Sequence, residues 1–163
     1  MLRTCLAAGT ALLLSLTPAY AKNPAGSSKD AAASPARETG NKALARQIIE
    51  TMWNLKNPEA AAKLFAPDYI EHMANATRPG VEGFLASTKS MLQQFPEVSA
   101  TIHQIIGEGD MVAAYVHWKP RPDEPGFATG DFFRFRDGKL VEHWSVAQPV
   151  PTEDVARNSN GVF

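Results

Sequence analysis

Cysteine is almost absent from this chain: Cys5 is the one thiol, and it lies in a segment that reads as removable. Met1 to Ala21 has the layout of a secretory signal, with Arg3 ahead of an apolar run from Leu6 to Leu16 and a small-residue Ala19-Tyr20-Ala21 cleavage site. Cutting after Ala21 leaves Lys22 first and no cysteine behind. That excludes disulfides, thiolate nucleophiles and thiolate-bound metal, even in the periplasmic or extracellular space to which such a signal leads. The apolar run is too short, and ended too soon by Pro18, to span a bilayer. Net charge is also scarce. The 16 Lys and Arg face 17 Asp and Glu, and loss of Arg3 leaves a balance near −2. With no cluster of basic residues, neither nucleic acid nor a membrane surface is an expected partner. The four histidines, His72, His103, His117 and His143, include no pair at helical ligand spacing and no HExxH, so the sequence supports no zinc site.

Residues 22–37 are rich in Ala, Ser, Gly and Pro without apolar periodicity, which describes a flexible leader; residues 38–163 suffice for one domain. From Thr39 to Asn54, Leu44, Ile48, Ile49, Met52 and Trp53 recur at helical spacing. Asn57-Pro58-Glu59 predicts a capped short helix through Phe65, which Ala66-Pro67-Asp68 ends. Tyr69 to His72 is a brief extended piece, and Phe84, Leu85, Thr88, Met91, Leu92 and Phe95 predict a third helix. After Pro96 the period switches to two. Strands are expected at 98–106, 111–119, 130–136 and 140–148, with a Pro-rich loop at 120–129. Helices followed by antiparallel strands predict an α+β layered fold, three helices on a curved, mainly antiparallel sheet.

The most informative stretch is Asp131 to Gln148, a hairpin that mixes aromatics with titratable groups. Two registers are open around Asp137-Gly138. With Gly138 as a left-handed bulge residue, Phe135 pairs with Lys139 and Asp131 faces His143; with a two-residue turn, Arg136 pairs with Lys139 and Asp131 faces Trp144. We favour the bulge, which puts Asp131, Phe133, Phe135, Val141 and His143 on one face and Leu140, Glu142 and Trp144 on the other. An apolar pocket that moves a proton needs a base tuned by burial and a donor for the developing oxyanion. Asp131, His143 and His117 are the expected catalytic residues. Asp131 or His143 is the base, its neighbour the orienting group, and His117 or His72 the oxyanion donor. His72, Tyr69, Tyr115, Phe133, Phe135 and Gln148 are the expected substrate contacts. The plain alternative is an Asp131–His143 hydrogen bond that only holds register.

The segments Tyr69-Ile70-Glu71-His72, Ile102-His103 through Val116-His117-Trp118-Lys119, Asp131-Phe132-Phe133-Arg134, Glu142-His143-Trp144 and Gln148-Pro149-Val150-Pro151, in this order, resemble the SnoaL-like polyketide cyclases of the nuclear-transport-factor-2-like superfamily. The resemblance implies a conical α+β barrel with an apolar cavity, frequent homodimers through the outer sheet face, and cofactor-independent aldol-type ring closure. Other superfamily members isomerise, dehydrate or only bind. Where similar proteins commonly carry an aspartate after Glu-His-Trp, this chain has Ser145, which is no acid or base near neutral pH. Two functions are therefore carried forward. One is an exported enzyme that removes a proton from a small hydrophobic carbonyl compound; the other is a non-catalytic periplasmic module that binds such a molecule.

Overall fold

A computed structural model describes residues 34–73 and 78–163. The signal read at 1–21 and most of the leader lie outside the described residues. Helix α1 (Pro35–Ile49) starts four residues earlier than its apolar period implies, because Ser34 accepts a hydrogen bond from the Arg37 N–H and Pro35 occupies the first turn. It continues into a wide π-helical turn over Glu50–Asn54, then α2 (Pro58–Ala62), capped by Asn57. Strand β1 (Phe65–Glu71) follows, then α3 (Gly80–Gln94) and four strands, β2 (Ser99–Glu108), β3 (Met111–Lys119), β4 (Phe127–Arg136) and β5 (Lys139–Pro149).

The strands form one sheet in the order β1-β5-β4-β3-β2, antiparallel except where β1 runs parallel to β5. This is the α+β arrangement expected from helices first and strands after. The Ala66-Pro67-Asp68 segment, read above as a helix terminator, belongs instead to β1. Proline is tolerated there because β1 is an edge strand, with one row of backbone groups unpaired. Strand β4 likewise begins inside the expected Pro-rich loop. Gly126 makes this possible: at φ 76° a Cβ would lie 2.4 Å from the Trp118 carbonyl oxygen, so only glycine lets the chain turn in against β3.

The hairpin register differs from the favoured one. Asp137 and Gly138 both have positive φ, 51° and 71°, and form a two-residue turn with Arg136 opposite Lys139. The ladder then slips: Phe135 pairs with Leu140, but Arg134 pairs with Glu142, leaving Val141 as the extra residue of a bulge. The β1–β5 ladder slips over the same place, between Phe65↔Leu140 and Ile70↔Glu142. Leu140 consequently turns inward with Phe135, and Asp131 stands opposite Ser145, with His143 opposite Phe133. The bulge lies within the strand, at the place where β5 serves two ladders, and the turn residues carry no trace of it.

Ala45, Ile48, Ile49 and Met52 press onto the inner sheet face against Val112, Ala114, Val116, Phe133, Phe135 and Leu140. The end of the helix is fixed to edge strand β2 by Asn54, whose amide donates to the Ala100 carbonyl and accepts from the Ala100 N–H, both at 2.9 Å. Asn54→Ala leaves both backbone groups without that partner and is expected to cost roughly 1–3 kcal/mol in chemical denaturation. A change below the error of the measurement would show that water replaces the amide freely.

Candidate active site

The inner sheet face and helices α1 and α3 enclose a cavity of about 350 Å³. Its walls are mainly apolar. Ile48, Met52 and Trp53 line it from the first helix and its π turn, Phe84, Thr88 and Met91 from α3, and Val116, Trp118, Phe133 and Leu140 from the sheet. A buried polar cluster interrupts this surface.

At its centre is His143, 8% exposed. Its Nδ1 lies 3.0 and 3.2 Å from the two oxygens of Glu71, and its Nε2 lies 3.3 Å from Asp131 Oδ1. Asp131 and His143 therefore do meet, but diagonally, because the bulge has moved the direct partner of Asp131 to Ser145. Glu71 also accepts from the Tyr69 hydroxyl at 2.6 Å and the Met73 N–H at 3.0 Å, and Asp131 accepts from Thr129 Oγ1 at 2.7 Å. Burial alone would lower the His143 pKa, but its hydrogen bonds to Asp131 and Glu71 and their two charges outweigh burial and raise it to about 9. Burial works to raise the Glu71 pKa, yet the bonds and charge from His143, with those from Tyr69 and Met73, hold it below the ordinary value. Burial and then the Glu71 charge push the Tyr69 phenol far above its usual value, keeping it a donor. Near neutral pH the cluster is an imidazolium between two carboxylates.

The two carboxylates are not equivalent. Glu71, the more buried at 5% side-chain exposure, accepts from an imidazole, a phenol and a backbone N–H. Both border the cavity, but Asp131, at 17%, is the more exposed and accepts from two side chains only. Glu71 is placed to hold the imidazole and Asp131 to meet a bound molecule.

Of the residues singled out from sequence, Asp131, His143, Tyr69 and Phe133 line the cavity, whereas Phe135 is buried in the core beside it. His117, Tyr115, His72 and Gln148 do not. His117 and Tyr115 alternate with Val116 and point to the outer face, where His117 Nε2 lies 2.7 Å from the Pro125 carbonyl oxygen, the Tyr115 hydroxyl donates to the Val162 carbonyl, and both rings meet Phe163. His72 stacks on Trp144 at 4.4 Å and lies 3.1 Å from Glu142, also outside; Gln148 is exposed. Neither His72 nor His117 can supply the oxyanion donor expected of them. Glu71 is not among the residues expected from sequence, although strand alternation points to it: if Tyr69 faces inward, so does Glu71, and His72 must face outward. Thr129 and Ser145 follow from Asp131 by the same rule and the register. Among the described residues no group of three or more metal-ligating side chains is positioned to hold an ion.

The sequence model of the SnoaL-like polyketide cyclases matches residues 43–154. No curated protein matches the chain. Solved structures do. AclR, a candidate hydroxylase from Streptomyces galilaeus, is 22% identical with a TM-score of 0.60, over 69% of this chain and 81% of that one. A candidate polyketide cyclase from Bacillus cereus is 19% identical with a TM-score of 0.61, over 72% and 80%. A candidate ketosteroid isomerase from Kribbella flavida is 20% identical with a TM-score of 0.59, over 77% and 93%. At these identities the likeness concerns the fold, and the three names span three reactions.

The charge cluster makes stability depend on pH. Since folding raises the His143 pKa from 6.5 to about 9, its contribution is complete below about pH 6.5, falls as pH rises to 9 and is gone above, a difference of about 3 kcal/mol. Glu71, held low, contributes above its ordinary value of 4.5 and loses that contribution as pH falls through its lowered one. Melting temperature should therefore be highest between about pH 5 and 6.5 and decline toward 9. His143→Gln should melt lower at pH 6 and lack that decline; an unchanged alkaline slope in the variant would place its origin elsewhere.

Proposed function

This chain belongs to the SnoaL-like polyketide cyclase family, and from that premise and the cavity geometry we propose that it is an exported, cofactor-independent enzyme acting on a small hydrophobic carbonyl compound. The observation that carries this reading is a carboxylate, Asp131, at the wall of an apolar cavity, held by Thr129 and by a buried imidazolium. Asp131 removes a proton from the carbon next to the substrate carbonyl. The electron pair moves onto oxygen as an enolate, and Ser145, across the ladder from Asp131 and also bordering the cavity, offers a hydroxyl donor to that oxygen. In an aldol-type closure the enolate carbon then attacks a second carbonyl of the same molecule, and the new alkoxide recovers the proton from Asp131. Return of the proton to a different carbon would give isomerisation instead.

His143 does not act as the base in this scheme, because the two carboxylates keep it protonated. Its part is to aim Asp131 and to hold positive charge beside it, and Glu71 is the positioning residue behind it. Export is supported by the signal-like features of Met1 to Ala21. A homodimer through the outer sheet face is supported by Ile106, Phe132 and Val146, large apolar side chains exposed there.

Solvent-deuterium exchange at the α-carbons of cyclic and aryl ketones, followed by NMR at pH 7, tests the chemistry. The wild-type protein should accelerate exchange over buffer, and Asp131→Asn should lower that rate by at least about 100-fold while ketone affinity stays within about tenfold. Equal rates in the two proteins would reject Asp131 as the base. Ketone binding with no exchange would leave the binding-module reading standing. For export, mass spectrometry of protein recovered from outside the cytoplasm should give a chain beginning at Lys22; an intact amino terminus would count against a cleaved signal.

A further inference from the structure

The lining of the cavity contains four charged residues among those described: Glu71, Asp131, His143 and Arg78. The first three form the buried cluster, in which one imidazolium faces two carboxylates, so the cluster as a whole is negative. Arg78 stands apart from it. It is exposed yet borders the cavity, which places it at the opening, and among the described residues no acidic side chain lies within ion-pairing distance of it. Arg121 pairs with Glu124, Arg134 with Asp110 and Glu142, and Arg136 with Asp68; Arg37, Arg46 and Arg157 are likewise without an acidic partner among the described residues, but they do not border the cavity.

Its position is built by close packing. A Cβ on Gly83, in the first turn of α3, would lie 2.3 Å from the Arg78 carbonyl oxygen and 2.6 Å from the Arg78 Cβ. Only a glycine at 83 lets the Arg78 backbone lie against the helix at the cavity edge.

We propose that Arg78 binds an anionic group of the substrate, so that the molecule turned over here is a hydrophobic keto acid rather than a neutral ketone. This rests on the catalytic reading of the same cavity. A carboxylate directed inward would meet the negative cluster and leave water without compensation. Directed outward, it meets a guanidinium able to bind it through two parallel N–H donors. The apolar body then fills the interior, and the ketone end reaches Asp131. A cation at the opening that is unpaired among the described residues, and a net negative charge in the buried cluster, thereby fix which way round the substrate enters.

Calorimetric titration with 6-acetyl-2-naphthoic acid and its methyl ester separates charge recognition from apolar burial. Wild-type protein should bind the acid about tenfold more tightly than the ester at low ionic strength, and high salt should narrow that gap. Arg78→Gln should reduce the preference to within about twofold and leave ester affinity as it was. Gly83→Ala, which keeps the charge but displaces it, should weaken the preference without removing it. Equal binding of acid and ester by the wild-type protein, a preference that survives Arg78→Gln, or no binding of either compound at millimolar concentration would overturn the assignment. Acid preference without deuterium exchange would sink the enzyme reading and leave Arg78 as an anion anchor. Exchange without acid preference would do the reverse.

Discussion

An imidazolium enclosed by two carboxylates joins three strands that the chain delivers from different places: Glu71 from the end of β1, Asp131 from β4 and His143 from β5. Removing such charges from water is costly, and their mutual attraction compensates only if the remaining lone pairs and protons also find partners. Here they do. Tyr69 and the Met73 N–H complete Glu71, and Thr129 completes one oxygen of Asp131. The parallel β1–β5 pairing is what allows this, since it sets Glu71 beside His143 in the ladder. The cluster thus ties the edge strand to the sheet and at the same moment gives a mainly apolar cavity a chemically active wall.

The bulge at Val141 decides what that wall contains. Without it, the two-residue turn at Asp137-Gly138 would set Asp131 opposite Trp144, and every residue of β5 beyond Val141 would present its other side. The extra residue returns His143 and Ser145 to the inner face and sends Glu142 and Trp144 outward, where Arg134 and His72 meet them. A single inserted residue therefore separates the buried charges of the cavity from an exposed ion-pair network on the opposite side. Function and outer-face chemistry are sorted by the same slip.

That sorting explains which expectations from sequence failed. Alternation within one strand was legible, and it correctly grouped His117 with Tyr115 and Trp118 with Val116. What alternation leaves open is which group faces the helices. Trp118 and Val116 border the cavity, so His117 and Tyr115 meet the carboxyl-terminal residues instead. His72 was an expected site residue, but carboxylate and imidazole on neighbouring strand positions point opposite ways, and it is Glu71 that faces the cavity. The pairing of Asp131 with His143 was anticipated through the wrong register, and the contact exists because a diagonal neighbour on the same face remains within reach of a long side chain.

Amino-acid order alone determined the element types and their sequence, since apolar period, proline, and capping residues such as Asn57 act over a few neighbouring positions. It placed a turn at Asp137-Gly138 for the same reason, but left the turn type and register open. Tertiary structure decided the face, the register and the partners: that β1 lies parallel to β5, that β5 bulges between its two neighbours, and that Glu71 closes on His143 from 72 residues away. Those outcomes depend on how helices and strands share one interior, a condition that local spacing does not encode.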